Sequence, residues 1–285
     1  MKEETCPAIA LAVPSLNQGK FLRSCLDSIL AQQGVRFKIA LMDGGSTDET
    51  RKIIAEYSPR LAYWRSRPDN GQAAAINEGI AALGACDYVG WLNSDDILLP
   101  DALRKMAKLL ADRPQAGAVY AQGLIIDEDG RKQADYPTQV FNKARFAKNC
   151  FICQPATLIR KTAWDAVGGL DVEFHMCMDY DLWWRLLAQG TLEYLAEYTA
   201  CSRDYATTKT RTAQLANVRE AQKLLHRHCG QVPANWILEE VVWQWKEKKE
   251  KKHGRPNIME KLALVVEFAL VYAKRRSLGE RGYLP

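Results

Sequence analysis

A chain of 285 residues, 47% hydrophobic and 26% charged, has the balance of a globular protein and the length for one large domain with an appendage. Its net charge of +5 is modest, and the basic residues of the C-terminal third are interleaved with Glu and form no recognised reading motif, which argues against nucleic-acid binding. No apolar run reaches the roughly 18–20 residues of a membrane span, and the polar start Met1-Lys2-Glu3-Glu4-Thr5 is unlike a secretory leader. The eight cysteines are scattered, several within apparent core segments, so they read as reduced thiols of a cytoplasmic protein. Cys150 and Cys153 have CxxC spacing but lack the second pair that a structural zinc site needs.

Residues 8–13 form a continuous apolar run, the mark of a strand covered on both faces. Pro14-Ser15-Leu16-Asn17-Gln18-Gly19 stops it, and Leu22, Leu26, Ile29 and Leu30 then recur at helical spacing. Residues 37–42 predict a second strand ending in Asp43-Gly44-Gly45-Ser46-Thr47-Asp48, with a helix over 49–57. A short third strand over 61–65 leads into Pro68-Asp69-Asn70-Gly71 and an Ala-rich helix over 72–83. The fourth strand, 88–92, runs into Asn93-Ser94-Asp95-Asp96 and a helix over 100–110. Strand and helix alternating in this way, with short polar turns, predict a mostly parallel sheet with helices on both faces.

In such a sheet the turns after the strands share one edge, where ligands bind. Ser15, Asn17, Asp43, Asp69, Asp95 and Asp96 therefore converge on one cleft. The chain has neither a GxxxxGK[ST] loop nor a GxGxxG after its first strand, which disfavours P-loop and ordinary dinucleotide chemistry. Two readings of Asp95-Asp96 stand at this point. Adjacent carboxylates repel unless a cation offsets them, and a hard divalent ion held by one or two carboxylates plus substrate phosphates does so. Alternatively, an Asp caps the helix that follows. Asp48 is similarly expected to cap the helix after it.

Further along, residues 116–121 and 124–126 predict two more strands, with Asp127-Glu128-Asp129-Gly130 as a solvated hairpin turn. Residues 154–160 predict a strand and 162–167 a helix closed by Gly168-Gly169-Leu170. Another helix starts at Met178, with Asp179 and Asp181 in its first turn, where the helix dipole favours carboxylates, and Trp183, Leu186 and Leu187 on its buried side.

Taken in order, Val13-Pro14-Ser15-Leu16-Asn17, Met42-Asp43-Gly44-Gly45-Ser46-Thr47-Asp48, Asp69-Asn70-Gly71 with Asn77-Glu78-Gly79, Leu92-Asn93-Ser94-Asp95-Asp96, and Gly168-Gly169-Leu170 before Met178-Asp179-Tyr180-Asp181-Leu182-Trp183 resemble a family-2 glycosyltransferase of the GT-A fold. The resemblance covers roughly residues 8–210 in the family's order and implies an inverting transferase that uses a nucleotide-diphosphate sugar and a divalent metal, Mn²⁺ or Mg²⁺. It implies that Pro14, Ser15, Asn17 and Asp43 hold the nucleoside, with Asp69 and Gly71 near the base or ribose. The family's DxD maps onto Asn93-Ser94-Asp95, so Asn93 replaces its first acid, Asp95 becomes the metal ligand and Asp96 a contact to donor sugar or metal. The general base aligns with Asp179, with Asp181 as its competitor. Many relatives carry Arg-x-His further on; here the stretch is Arg203-Asp204-Tyr205, which puts Tyr205 in place of the His and leaves Arg203 or Lys209 for phosphate. Gln154 and Trp183 are candidates on the acceptor or phosphate side, and His175 is a local structural residue or a substrate contact.

Residues 211–285 fall outside the resemblance and predict a helical extension to a catalytic domain over 1–210. Trp236, Trp243 and Trp245 precede a lysine-rich run over 246–252, Gly254 and Pro256 break the helix, and the apolar run 262–273 ends in Lys274-Arg275-Arg276. This composition suits either docking on the inner face of an anionic membrane, where lipid-linked acceptors reside, or packing on the catalytic domain or a second copy in a homo-oligomer. The expected function is sugar transfer from a nucleotide-diphosphate donor, UDP-linked in the leading reading, to a glycan or lipid-linked acceptor. The alternatives are a non-catalytic nucleotide-sugar-binding or scaffold subunit and a sugar-nucleotide pyrophosphorylase, whose Gly-rich basic loop is missing from residues 14–19.

Overall fold

The computed structural model describes residues 6–250, 266 and 268–273. The lysine run beyond residue 250, the break at Gly254 and Pro256, residues 262–265 and 267 of the apolar run, and Lys274-Arg275-Arg276 lie outside the described residues. In chain order the elements are β1 (Ala8–Ser15), α1 (Gly19–Leu30), β2 (Arg36–Asp43), α2 (Thr50–Tyr57), β3 (Tyr63–Ser66), α3 (Gln72–Leu83), β4 (Tyr88–Trp91), β5 (Ile97–Leu98), α4 (Ala102–Asp112), β6 (Ala116–Ile126), β7 (Lys132–Asp135), α5 (Lys143–Lys148), β8 (Thr157–Arg160), α6 (Lys161–Ala166), α7 (Met178–Leu186), β9 (Thr191–Arg203), α8 (Lys209–Thr212), α9 (Gln214–Cys229) and α10 (Ala234–Glu250). They divide into two compact units, Met1–Phe141 with Phe151–Tyr205, and Asn142–Cys150 with Ala206–Pro285.

The first unit is a mixed sheet in the order β3-β2-β1-β4-β8-β6-β9-β5, with β7 on the side of β6. β1 to β4 are mutually parallel, β8 is antiparallel to both β4 and β6, and β6 and β9 are parallel again. Apolar residues Ile9 to Val13 are buried on both faces. On one side Ile9, Leu11 and Val13 share a core with Leu22, Leu26 and Ile29 of α1 and Leu103, Met106 and Leu110 of α4. On the other, α3 lies close enough that a Cβ on Gly79 would sit 3.0 Å from Met42 Cγ and 3.3 Å from Ala12 Cβ. The register pairs Ser15 with Asp43 and Asp43 with Ser66, so the three strands end level with one another. That alignment is what brings their turns to one edge.

Three elements differ from expectation. Residues 116–126 are one strand, because Gln122 and Gly123 remain in the ladder through irregular pairing with β9. Gly123 is required there, since a Cβ would run into the Cys153 Sγ. The helix after Asp96 starts two residues late: Ile97 and Leu98 form β5, and Asp101 takes a left-handed conformation (φ 62°) before α4. Residues 154–156 form a 3₁₀ turn rather than the first half of β8.

In the second unit α9 buries Val218, Ala221, Leu224 and Leu225. Gln222 donates to the Trp236 carbonyl (2.9 Å) and to Glu240 (3.1 Å), which ties α9 to α10. The Trp236 indole donates to the Ala147 carbonyl (2.9 Å), which seats α5 on α10. The C-terminal region is therefore helical. No helix among the described residues is long and apolar enough to cross a membrane.

Gly79 is the tightest test of the α3 packing. Gly79→Leu is expected to lower unfolding free energy by about 1–3 kcal/mol through overpacking, measured by denaturant titration.

Candidate active site

The first wall of the site is the edge where β1, β2 and β3 end. Asn17 takes a left-handed conformation (φ 52°), its N–H donates to Ser46 Oγ (2.7 Å), and its side-chain oxygen accepts from the Thr47 N–H (2.9 Å). Asp48 accepts from the N–H groups of Gly19 (2.9 Å) and Thr50 (3.0 Å), so it joins the starts of α1 and α2 rather than capping one helix alone. These bonds fasten the β1–α1 turn to the β2–α2 turn. Asp43 is fully buried; its carboxylate accepts from the Ser46 N–H (3.1 Å), the Ser46 hydroxyl and the Ser66 hydroxyl (2.6 Å). Its role in this arrangement is to shape the turn after β2. Ser15 is buried beside it, and its hydroxyl has no hydrogen-bond partner among the described residues.

Arg65 organises the third turn, and nothing in the sequence pattern marks it out. Its guanidinium donates to the carbonyls of Asp43 (3.0 Å) and Arg67 (3.1 Å), to Asp69 (3.1 Å) and to Glu78 (3.0 Å). Asp69 also accepts from the Gly71 N–H (2.9 Å). Gly71 opens α3 at φ 98°, a conformation that favours glycine. A pocket of about 290 Å³ lies here, lined by Arg65, Arg67, Pro68, Asp69, Asn70 and Glu78 among others. A Cβ on Gly44 would sit 3.5 Å from Asp69 and 3.6 Å from the Ser15 carbonyl, so all three turns do meet.

The second wall is the end of β4. Asp95 and Asp96 are both desolvated. Burial pushes the Asp95 carboxyl above the usual carboxylate range, and burial together with the charge of Asp95 pushes Asp96 well above it. Neither caps α4. Asp96 accepts from the Arg203 N–H (2.8 Å) and from the Asn93 side chain (3.2 Å), and Asp95 accepts from the Tyr205 hydroxyl (3.0 Å). Asn93 accepts from Gln72 (2.8 Å) and also donates to Gln154 (3.3 Å), whose amide reaches the Trp91 carbonyl (2.9 Å). Ser94 is buried between them. Tyr205 and Gln72 were not among the residues expected to act here; Tyr205 was noted only as the replacement for a histidine.

The third wall is α7 and the loop before it. Trp183 is buried and stacks on Trp91 (6.0 Å, 11°), so it fixes α7 against β4 and offers no surface to an acceptor. Asp181 is fully buried and accepts from Arg185 (2.7 Å), which also donates to the carbonyls of Val167 (2.7 Å) and Gly169 (2.6 Å). That pair locks α7 to the Gly168-Gly169 turn, and Asn77 bonds both the N–H (2.9 Å) and the carbonyl (2.8 Å) of Leu170 from α3. Asp179, two residues before Asp181 and so on another side of α7, is half-buried and accepts from the Tyr180 N–H (2.8 Å). His175 reaches the first wall: a Cβ on Gly71 would lie 3.8 Å from its Nδ1. Arg203 is spent on the carbonyls of Asp95 (2.8 Å), Asp127 (2.7 Å) and Glu128 (2.9 Å) with its face on Phe21 (4.6 Å), an arrangement that supports the carboxylates rather than a phosphate. Lys209 belongs to the second unit, at the start of α8.

Residues 10–168, more than half of the chain, match the family described as Glycosyl transferase family 2. The protein belongs to that family. Among similar proteins, this glycosyltransferase is 25% identical to the chondroitin synthase of Escherichia coli over 193 residues, which is 66% of this chain and 28% of that one. It thus spans about a quarter of the length of that relative. An uncharacterized glycosyltransferase of Rickettsia typhi is 26% identical over 75% of this chain and 70% of its own. A PGL/p-HBAD biosynthesis glycosyltransferase of Mycobacterium bovis is 28% identical over 61% of this chain and 68% of its own. Among solved structures, S. aureus TarS with UDP-GlcNAc superposes with a TM-score of 0.60 at 14% identity, over 83% of this chain and 71% of that one. The mannosyltransferase PcManGT of Pyrobaculum calidifontis, in complex with GDP-Man and Mn²⁺, gives 0.57 at 16% identity, over 99% of this chain and 78% of that one. Those two likenesses establish the fold of the glycosyltransferase, a GT-A fold with a helical C-terminal region.

Both carboxylates of the β4 end titrate above their unfolded values, so protons stabilise the fold: the benefit is complete at low pH and is lost as pH rises through the raised values. Asp95→Asn removes one of the two charges. In chelator at about pH 8 the variant is expected to melt higher than the parent, and the gap should close towards about pH 4. Scanning calorimetry checks this.

Proposed function

We propose that this glycosyltransferase moves a sugar, with inversion, from a nucleoside-diphosphate donor, UDP-linked in the leading reading, to a hydroxyl of a glycan or lipid-linked acceptor. The observation that carries the proposal is the desolvated Asp95-Asp96 pair at the end of β4, on the same edge as the stitched turns of β1, β2 and β3. The donors named in the two solved structures, UDP-GlcNAc and GDP-Man, support the donor class. The chondroitin synthase and the mycobacterial relative support an acceptor in polysaccharide or glycolipid assembly.

The donor set fits a hard divalent cation, Mn²⁺ or Mg²⁺. Burial raises the proton affinity of both carboxylates, the charge of Asp95 raises that of Asp96 further, and a positive charge offsets both effects. No group of three or more His, Cys, Asp or Glu side chains comes together among the described residues, so the chain's share of a metal shell is small, as is usual for an ion that binds with substrate phosphates. Asp95 would hold it, with Asp96 behind; bound there, the cation would offset charge on the leaving diphosphate. The chain's own residues do the rest. Pro14, Ser15, Asn17 and the turn shaped by Asp43 take the nucleoside, and Asp69 and Gly71 border the adjacent pocket. The Asp179 carboxylate takes the proton of the acceptor hydroxyl as its oxygen bonds the anomeric carbon and the bond to the diphosphate breaks. Asp181, neutralised by Arg185, is reserved for holding that helix.

Calorimetric titration with UDP, GDP and dTDP, with and without Mn²⁺, tests the donor reading. Asp179→Asn is expected to bind nucleotide as the parent does and to lose transfer by about 10²-fold or more, the contribution of a general base. Unchanged turnover would remove the base assignment. No nucleotide binding in the parent would leave the scaffold reading.

Val266 and Leu270, four residues apart on one helix face, are 57% and 66% exposed, and we propose that this face and the basic residues after it rest on an anionic membrane. Deletion of residues 262–285 is expected to abolish co-flotation with phosphatidylglycerol vesicles; flotation of the shortened chain at the parent's level would refute the role.

A further inference from the structure

Asp95 is held unusually tightly for a residue expected to meet a ligand. The Arg203 guanidinium bonds its carbonyl (2.8 Å), and the Tyr205 hydroxyl donates to its Oδ2 (3.0 Å). No other described residue bonds Asp95 Oδ1, whereas both oxygens of Asp96 are taken, by the Arg203 N–H and the Asn93 amide. The second side of the Tyr205 hydroxyl faces the opposite wall: Gln18 Nε2 donates to it (3.2 Å). Gln18 follows Asn17 directly and precedes α1, so it sits on the turn fastened to Ser46 and Thr47. The Tyr205 ring packs on Phe21 of the same helix (5.1 Å), which keeps the phenol over this turn.

We propose that Gln18 and Tyr205 form a positioning clasp that links occupancy of the nucleoside turn to the orientation of the Asp95 carboxylate, so that nucleotide and divalent cation bind interdependently. The chemistry follows from donor and acceptor counts. A phenol has one proton; given to Asp95, it leaves the phenol oxygen free to accept from Gln18, and the chain Gln18 to Tyr205 to Asp95 runs in one direction. An ordinary phenol, with a pKa of about 10, remains a donor across the neutral range. With Oδ2 occupied, Oδ1 is the Asp95 oxygen that no other described residue bonds. A shift of the β1–α1 turn on nucleotide binding moves Gln18, hence the phenol, hence the carboxylate. Ligands that favour one arrangement of a shared element raise each other's affinity by the same factor.

The inference rests on the proposal of cation-assisted donor binding, and the experiment separates the two. UDP is titrated calorimetrically into the full-length protein with and without Mn²⁺, and Mn²⁺ is titrated by electron paramagnetic resonance with and without UDP. The parent is expected to show matching enhancement in both directions. In Tyr205→Phe, which keeps the ring on Phe21, the enhancement should fall about tenfold, the scale of one hydrogen bond to a charged group, while UDP affinity without metal stays at the parent's value. Gln18→Ala should lose the enhancement in the same way while leaving the bond from Tyr205 to Asp95 in place. Undiminished enhancement in both variants overturns the clasp and leaves the donor reading standing. A parent whose UDP and Mn²⁺ affinities are independent overturns the cation-assisted reading, and the clasp with it.

Discussion

The constraint on which the site depends is the cost of holding two adjacent carboxylates away from water at the end of a buried strand. Charged groups are tolerated in such places only when hydrogen bonds or counter-charges reach them. Here the partners come from far along the chain. Asp96 is met by the backbone of Arg203 at the end of β9, Asp95 by Tyr205 two residues later, and the Asp95 carbonyl by the Arg203 side chain. The last strand of the sheet is therefore part of the active edge, and β5, which pairs Ile97 and Leu98 with Cys201 and Ala200, is the hinge pin that brings it there.

The opposite wall obeys the same rule with different means. Its acids are met by nearby donors, Asp43 by Ser46 and Ser66 and Asp69 by Arg65 and the Gly71 N–H, as Asp181 on the third wall is met by Arg185. Acids treated in this way define shape. Asp95 and Asp179, which are only half-buried, are the ones to which the proposed mechanism gives a part at the substrate.

The parallel half of the sheet was legible because β1, β2 and β4 are apolar on both faces and their turns carry polar residues and glycine; α3 falls on the expected residues 72–83. The antiparallel half was harder. β9 carries exposed and buried residues without strict alternation because its pairing with β6 shifts register more than once, so periodicity gave no strand over 191–203. Among the site residues, those on the ends of early strands were readable because sheet geometry gathers strand ends. Arg65 was not, because an arginine inside a strand that works through contacts distant in sequence has no local signature; Tyr205 stood out only as the residue in place of a histidine, and its bond to Asp95 lies beyond any local pattern. Asp181 shows the opposite failure: two acids at the start of a helix look equivalent in sequence, and only the arginine one turn on, at residue 185, tells them apart.

Asn93 is the clearest case of physics behind a departure from the family's pattern. Its amide nitrogen lies 3.2 Å from one Asp96 oxygen and 3.3 Å from the Gln154 side-chain oxygen, while its own oxygen accepts from Gln72. An aspartate at this position would set a third negative charge against Asp96, whose proton affinity is already raised by burial and by Asp95. It would also turn an acceptor towards Gln154. The amide supplies a donor where a donor is needed and still accepts from the other side. Asn93 is thus better understood as the group that lets Asp96 remain buried than as a lost acid, which is why the proposal gives the cation to Asp95.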